Sequence, residues 1–231
     1  MQTTQISRAL HVSITVPELV SMVSAQLVGM FPDLRISGID LHRYVDIALQ
    51  RLEYCFARVR LKYFADEKGP RFDHRNTDHY AMFCYFLSNT VFRANGDPHL
   101  AARVYAMNKA LHAIDAYYEV ELPSVFAFQH PVGTVLGRAT YSDYFLVYQR
   151  CSVGSSIDHD YPVIGPGVVM FGGSAIIGNS NVAGNCLFAV NAVAMDSEVP
   201  ESSIVFGQSP SLTIKPSRRN VIRDVFGQRN V

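Results

Sequence analysis

The segment 164-IGPGVVMFGGSAIIGNSNVAGNCLF-188 places an apolar residue at every sixth position: Ile164, Met170, Ile176, Val182 and Phe188, followed by the weaker Ala194. A small or compact residue stands four positions after each of the first five, namely Val168, Ser174, Ser180, Cys186 and Ala192. Six-residue repeats of this kind are typical of a parallel β-helix, in which each short strand contributes one inward side chain and small residues let the chain turn a corner. No coil buries its apolar face alone, so we expect several stacked coils.

An earlier phase of the same repeat runs through Tyr141, Val147 and Val153, with Leu122 and Phe128 before it. The register slips by one residue between Val153 and Ile164. Residues 154–162 fill that interval and are mostly polar. A polar loop pushed out of a solenoid is either decoration or part of a site, and we interpret this one as part of a site.

Upstream of Pro123 the apolar spacing is helical, with steps of three and four residues. This spacing runs from Ile39 to about Ile114. One series comprises Val45, Leu49, Leu52, Phe56, Val59 and Tyr63, and another comprises Leu100, Val104, Met107, Leu111 and Ile114. We expect further helices over residues 17–31, with Pro17 in the first turn, and over 79–92, opened by Asp78. Asp97 and Pro98 supply a helix start, and residues 68–77 are predicted to be a loop.

The fold class predicted from these patterns is α+β, an N-terminal helical domain followed by a parallel β-helix of hexapeptide repeats. The predicted domains are residues 1–118 (helical), 119–216 (β-helix) and 217–231 (C-terminal tail). The sequence therefore divides into a helical part and a β-helix, followed by a short tail.

Charge and cysteine content exclude several classes of protein. Twenty Lys and Arg balance twenty Asp and Glu, which argues against a nucleic-acid binder, and 48 % hydrophobic residues argue against disorder. The four cysteines form no close pair, so we expect buried free thiols rather than a zinc or redox site. Since no apolar run approaches about 20 residues and no leader pattern is recognisable, no transmembrane segment and a soluble, cytoplasmic protein are predicted.

Residues 112–216 resemble a known protein family. Ile114 and Asp115 are followed, after fourteen residues, by 130-HPVGTVLG-137, then by the repeats and by a closing segment with Val199-Pro200, Gly207, Pro210 and Lys215-Pro216. In this order the motifs resemble the serine acetyltransferase family of hexapeptide-repeat acyltransferases, and more narrowly its surface-polysaccharide O-acetyltransferase branch. The resemblance implies a left-handed β-helix, acetyl-CoA as co-substrate, no metal, and a homotrimer whose trimers pair in some members.

The resemblance also implies a catalytic pair, with His130 as general base and Asp115 as its partner. A neutral imidazole can take the proton of an attacking hydroxyl near pH 7, and a carboxylate on the other ring nitrogen fixes the tautomer. Glu119 and Glu121 are close in sequence and remain alternatives to Asp115.

The acceptor is where the sequence departs from the family. Gln129 replaces an Asp, Asp160 and Tyr161 replace an Arg–His pair, and Arg138 replaces a Glu; these four and His159 form the predicted substrate-binding set. Because the groups that grip serine are missing, the predicted acceptor is a hydroxyl of a sugar or polysaccharide. Serine, an amino-sugar nucleotide acetylated on nitrogen, and a non-catalytic scaffold are the alternatives.

Residues for the acyl-CoA arm follow from the same resemblance. They are Gly154 near the oxyanion, the strip of Gly172, Gly173, Ser174, Val190 and Ala192, and Lys215 for the phosphates, with Arg218 and Arg219 as further basic candidates. A zinc β-helix enzyme would need three histidines around the coils, where the sequence has only His130 and His159.

Overall fold

The computed structural model describes residues 9–33 and 40–227 of the 231-residue chain. The remaining residues, 1–8, 34–39 and 228–231, belong to the predicted helical domain and tail, and Ile39 is among them. Five helices lie within the described residues: α1 (Val16–Met30), α2 (Leu41–Phe56), α3 (Thr77–Arg93), α4 (Pro98–His112) and α5 (Val221–Val225).

The helix starts follow the capping chemistry of the sequence. Thr15 and Glu18 form a capping box at α1, with Pro17 in the first turn, and Asp97 caps α4 ahead of Pro98, as predicted. The prediction that Asp78 opens α3 is wrong. The side chain of Asn76 accepts hydrogen bonds from the N–H groups of residues 78 and 79, so Asp78 lies inside the first turn.

The apolar spacing of α2 predicts a helix that continues to Tyr63, but the helix ends at Phe56. Beyond it, Val59 forms a β-bridge with Phe226 and the Arg60 N–H donates to the Val225 carbonyl at 2.8 Å. The C-terminal tail thus takes up the backbone groups that a longer helix would use, and Tyr63 is left 65 % exposed.

A small three-stranded sheet lies within the helical part: β1 (His11–Val12), β2 (Ala65–Asp66) and β3 (Gly69–Phe72). Strand β3 pairs in parallel with β1 and antiparallel with β2. The predicted loop over residues 68–77 therefore contains a strand, which pairs with the adjacent β2 across a short turn and with the remote β1.

From residue 115 onward the chain is built of short strands: β4 (Asp115–Ala116), β5 (Phe126–Phe128), β6 (Val135–Leu136), β7 (Thr140–Tyr141), β8 (Phe145–Val147), β9 (Ser152–Gly154), β10 (Val163–Ile164), β11 (Val168–Met170), β12 (Ala175–Ile177), β13 (Asn181–Val182), β14 (Cys186–Phe188), β15 (Val193–Met195), β16 (Glu198–Val199), β17 (Ser203–Phe206) and β18 (Thr213–Pro216). They form three sheets, ordered β16-β13-β10-β7, β18-β17-β14-β11-β8-β5 and β15-β12-β9-β6-β4. All neighbours pair in parallel except β17 with β18.

The sixth-position residues of the repeat form the inner core of this β-helix. Val147 pairs with Met170 and Met170 with Phe188, and all three side chains are fully buried. Ile164 pairs with Val182, one coil of three hexapeptides later. From Phe128 onward the predicted sixth-position residues lie in strands, which confirms the hexapeptide repeat and the predicted fold class, whereas Leu122 precedes β5 and lies in no strand.

The helical part and the β-helix share one hydrophobic core. Phe86 of α3 packs on Phe126 of β5 with ring centroids 5.2 Å apart, and the Cys55 thiol donates to the Phe126 carbonyl at 3.0 Å. All four cysteines are free and buried, as predicted, and burial raises the pKa of Cys55 to about 12. These thiols fill space and are not nucleophiles.

Helix α4 ends at His112 and strand β4 begins at Asp115, while α5 lies beyond the last strand. The predicted domain limits at residues 118 and 216 remain predictions. Among the described residues, no helix has the length and apolarity that crossing a membrane requires.

Candidate active site

Two edges of the β-helix carry the predicted site residues. The corners 129–134, 148–151, 171–174 and 189–192 each join a strand of the β5 sheet to one of the β6 sheet, and we name this line the His130 edge. The corners 137–139, 155–162, 178–180 and 196–197 form the loop edge. Backbone hydrogen bonds stack the His130 edge, from Arg150 to Val132 at 3.0 Å and from Gly173 to Gln149 at 2.9 Å.

His130 lies at the first corner of its edge, directly after β5. Its backbone is left-handed, with φ of 52°, a conformation uncommon for residues other than glycine. Its side chain is 74 % exposed. This geometry turns the imidazole out of the core and leaves it accessible to a substrate.

The carboxylate beside His130 is Asp78 of α3. Its Oδ2 accepts a hydrogen bond from the His130 backbone N–H at 3.1 Å and lies 3.9 Å from the ring Nδ1. The Asp78 side chain is only 15 % exposed, and burial raises the pKa of this carboxyl, opposed by the hydrogen bond from His130. A partly desolvated carboxylate therefore adjoins the candidate base.

Asp115, the predicted partner of His130, is engaged elsewhere. Its Oδ1 accepts from the Tyr105 hydroxyl at 2.7 Å and its Oδ2 from the Lys109 ammonium at 2.5 Å. The backbone of Asp115 does reach the His130 edge, since its N–H donates to the Thr134 carbonyl at 2.8 Å. Within the described chain, its carboxylate contacts are those with α4 and none is with His130. The hydrogen bond to Asp115 raises the pKa of Lys109.

The two alternative carboxylates are also occupied by other cations. Glu119 lies 3.7 Å from the guanidinium of Arg138, and Glu121 lies 3.8 Å from that of Arg93. Arg138, predicted to bind substrate, thus forms an ion pair on the loop edge.

The predicted substrate residues are divided between the two edges. Gln129 adjoins His130, and its Oε1 is buried without a hydrogen-bond partner among the described residues. His159, Asp160 and Tyr161 lie in the exposed loop 155–162 on the other edge, and Tyr161 is 41 % exposed. Gly154 is the last residue of β9, directly before this loop, and a Cβ built there meets nothing within 4 Å, so space is open in front of it.

The predicted acyl-CoA strip lies on the same edge as His130. Gly172, Gly173 and Ser174 form one corner, and Val190 and Ala192 belong to the corner stacked on it through the Asn191 N–H, which donates to the Gly172 carbonyl at 3.1 Å. Val190 is 64 % exposed, whereas Ala192 and Ser174 are buried.

The predicted phosphate-binding residues lie near the end of the β-helix. The Lys215 ammonium is 5.8 Å from the Phe206 ring centroid, and Arg219 is 3.9 Å from Asp224. Arg218 is exposed.

Sequence reasoning missed two charged residues of the His130 edge. Asp78 is recognisable in the sequence as an acidic residue near a helix start. No sequence spacing, however, indicated that it would lie beside His130. Arg150 is exposed and joins no ion pair among residues 9–33 and 40–227. Built Cβ atoms at Gly133 and Gly173 lie 3.5 and 3.7 Å from its side chain, which places Arg150 between two corners.

Comparison with known proteins supplies structural relatives only. No family model and no curated protein matches the sequence. Among solved structures, Neisseria gonorrhoeae serine acetyltransferase aligns with a TM-score of 0.70 at 16 % identity, over 90 % of this chain and 81 % of that one.

Two further similar structures are complexes with a small molecule. Serine acetyltransferase of Brucella abortus strain S19, in complex with coenzyme A, aligns with a TM-score of 0.65 at 15 % identity, over 89 % of this chain and 83 % of that one. Isoform 3 from Entamoeba histolytica, in complex with cysteine, aligns with 0.56 at 16 % identity, over 88 % and 73 %. This similarity confirms the predicted fold, a helical part followed by a left-handed β-helix of the serine acetyltransferase type.

The arrangement supplies the groups needed for acyl transfer. It places the exposed His130 imidazole, the partly desolvated Asp78 carboxylate of α3 and the Arg150 guanidinium, which has no ion-pair partner among the described residues, beside the Gly172-Gly173 corner. Among the described residues, no three His, Cys, Asp or Glu side chains are placed to hold a metal ion.

Proposed function

We propose that this chain is an acetyl-CoA-dependent O-acetyltransferase, with His130 as its general base. The observation that carries the proposal is the exposed His130 imidazole beside the partly buried Asp78 carboxylate, on the edge that also holds the Gly172 corner. The similar fold of an enzyme crystallised with coenzyme A supports acetyl-CoA as the donor.

In this mechanism His130 removes the acceptor hydroxyl proton as the oxygen attacks the thioester carbonyl. The new C–O bond forms, and backbone N–H groups meet the oxyanion. The C–S bond then breaks, and the protonated His130 gives its proton to the leaving CoA thiolate. Asp78 stabilises the imidazolium, a role that the sequence assigned to Asp115.

Serine is the acceptor that we place first. Arg150 gives the His130 edge a guanidinium that complements the carboxylate of an amino acid. The similar structures are serine acetyltransferases, which favours the same acceptor class.

A sugar or polysaccharide hydroxyl is the second candidate. It is favoured by Gln129, Asp160 and the exposed Tyr161, because an aromatic face, an amide and a carboxylate acceptor suit the hydroxyl groups of a sugar ring. Under this alternative Arg150 contacts the CoA phosphates instead.

A homotrimer would complete the site. The His130 edge and the loop edge are separate lines of the β-helix, so Tyr161 lies apart from His130 of its own subunit. In a trimer, Tyr161 of one subunit can approach His130 of a neighbouring subunit across the interface. We propose this trimer, and pairing of trimers through the helical part. Sedimentation of a stable monomer would remove the loop edge from the site.

The test is CoA release from acetyl-CoA with serine, free sugars, sugar nucleotides and oligosaccharides as acceptors. His130→Ala is compared with His99→Ala, which changes an exposed histidine of α4. We expect turnover with serine, lowered about 10²- to 10⁴-fold in His130→Ala only. Turnover with a glycan alone would establish the second candidate, and absence of both CoA binding and turnover would refute acetyl transfer.

A further inference from the structure

A cavity of about 550 Å³ opens in the helical part of the molecule, between α2, α3 and the segment that leads into β5. Ile47, Phe86 and Leu122 form its apolar wall, while Arg51, Thr90 and Arg93 provide polar groups. The volume lies in the range of small-molecule sites. None of these residues belongs to the His130 edge or the loop edge, so the cavity is separate from the candidate active site.

The guanidinium of Arg51 is incompletely satisfied. Its Nη1 donates to the Thr90 hydroxyl at 2.8 Å and, more weakly, to the Phe86 carbonyl at 3.4 Å, and its Nη2 donates to the Asn89 Oδ1 at 2.7 Å. A guanidinium has five N–H donors. The Nε donor and one Nη2 donor therefore have no acceptor among the described residues.

The charge of Arg51 is not neutralised by a neighbouring acid. No carboxylate of the described residues lies within 4 Å of it, and burial lowers the pKa of this guanidinium. Arg93 lines the same cavity and lies 3.8 Å from Glu121. Glu121, which does not line the cavity, offsets Arg93 in a pair whose side chains are more than half exposed. The partly buried Arg51 therefore keeps one positive charge, which is costly to bury unless an anion offsets it.

We propose that this cavity binds a small molecule with one carboxylate on an apolar body. The two remaining donors of Arg51, on Nε and Nη2, are those that receive a carboxylate in a side-on, bidentate pair. A single negative charge matches the positive charge that Arg51 keeps, and the Ile47, Phe86 and Leu122 wall receives the apolar body. The proposal is independent of acetyl transfer.

Titration calorimetry of the full chain with benzoate tests this site, with benzamide as the uncharged analogue and inorganic phosphate as the second anion. We expect saturable benzoate binding, weakened about tenfold or more in Arg51→Gln. Ala94→Trp keeps the arginine and fills the cavity, and it should abolish binding. Arg43→Gln, an exposed change on the same helix, should bind benzoate like the wild type.

The proposal would be overturned by no saturable benzoate binding to the folded wild type, by equal affinity for benzamide, or by tighter binding of phosphate than of benzoate. Unchanged affinity in both Arg51→Gln and Ala94→Trp would do the same. Circular dichroism of each variant shows whether it folds, and Ala94→Trp keeps the test decisive if the loss of the Asn89 and Thr90 contacts unfolds Arg51→Gln.

Discussion

The β-helix and the helical part of this molecule are held together by different kinds of contact. In the β-helix each strand pairs with the one a coil away, so that Met170 touches Val147 and Phe188 in a repeating register. In the helical part, the contacts join segments with no common period, as when the Tyr85 hydroxyl donates to the Val120 carbonyl. The candidate chemistry lies where the two meet, with His130 from one and Asp78 from the other.

The largest effect on stability is expected in the helical part, at His79. Its ring is buried against Phe56 and Phe64, its Nε2 has no hydrogen-bond partner among the residues that the structure describes, and burial lowers its pKa to about 4 from 6.5. The unfolded chain therefore binds the proton more tightly, and stability falls as the pH drops from 6.5 towards 4. This loss amounts to about 3 kcal/mol.

His79→Gln keeps an acceptor for the Asp73 N–H but does not titrate. Urea unfolding between pH 7.5 and 4 should show that this variant loses about 3 kcal/mol less than the wild type. His99→Gln, at an exposed position, should follow the wild type. A wild-type slope in His79→Gln would mean that His79 is not buried in its neutral form.

In the β-helix, the addition of a single methyl group should destabilise the folded protein. A Cβ on Gly165 would lie 2.8 Å from the backbone of the next coil, at Ala183 and Gly184. Since these backbone atoms are held by coil-to-coil hydrogen bonds, Gly165→Ala should cost about 1–3 kcal/mol of unfolding free energy. Thermal or urea unfolding measures it, and a neutral result would show that the coils can separate.

The same change in the helical part should have the opposite sign. Gly29 lies in α1, and a Cβ built there meets nothing within 4 Å. Gly29→Ala should stabilise the protein by about 0.5–1 kcal/mol, because alanine loses less backbone entropy in a helix. Destabilisation by Gly29→Ala would show that this end of α1 is covered by another segment.

The periodic half was predictable because its contacts repeat the sequence period. The three hexapeptides of a coil bring Ile164 over Val182, so the inner residues could be listed from the sequence. The helices were predicted with errors at their ends, and α2 stops early because the tail, at Val225 and Phe226, binds the next backbone groups. No local pattern of α2 encodes that remote contact.

The same reasoning explains why the sequence pointed to Asp115, whereas the structure places Asp78 beside His130. Asp115 stands at the expected distance from His130 in sequence, but the last turns of α4 present Lys109 and Tyr105 to it. Asp78 precedes His130 by 52 residues, and the register of α3 against the β5 corner brings it there. The stacked corners beside His130 could be anticipated, whereas the charges around them depended on tertiary packing.

The comparison of Asp78→Asn with Asp115→Asn tests the central claim most directly. The kcat/KM for acetyl transfer, measured by CoA release with serine as the proposed acceptor, should fall about 10²-fold or more in Asp78→Asn. Asp115→Asn breaks a half-exposed ion pair and should change it only a few-fold. Asp78→Asn should also unfold at no lower urea concentration at neutral pH, since it removes a carboxylate whose charge burial disfavours. A large loss in Asp115→Asn with little change in Asp78→Asn would contradict the account and restore the pair that the sequence alone indicated.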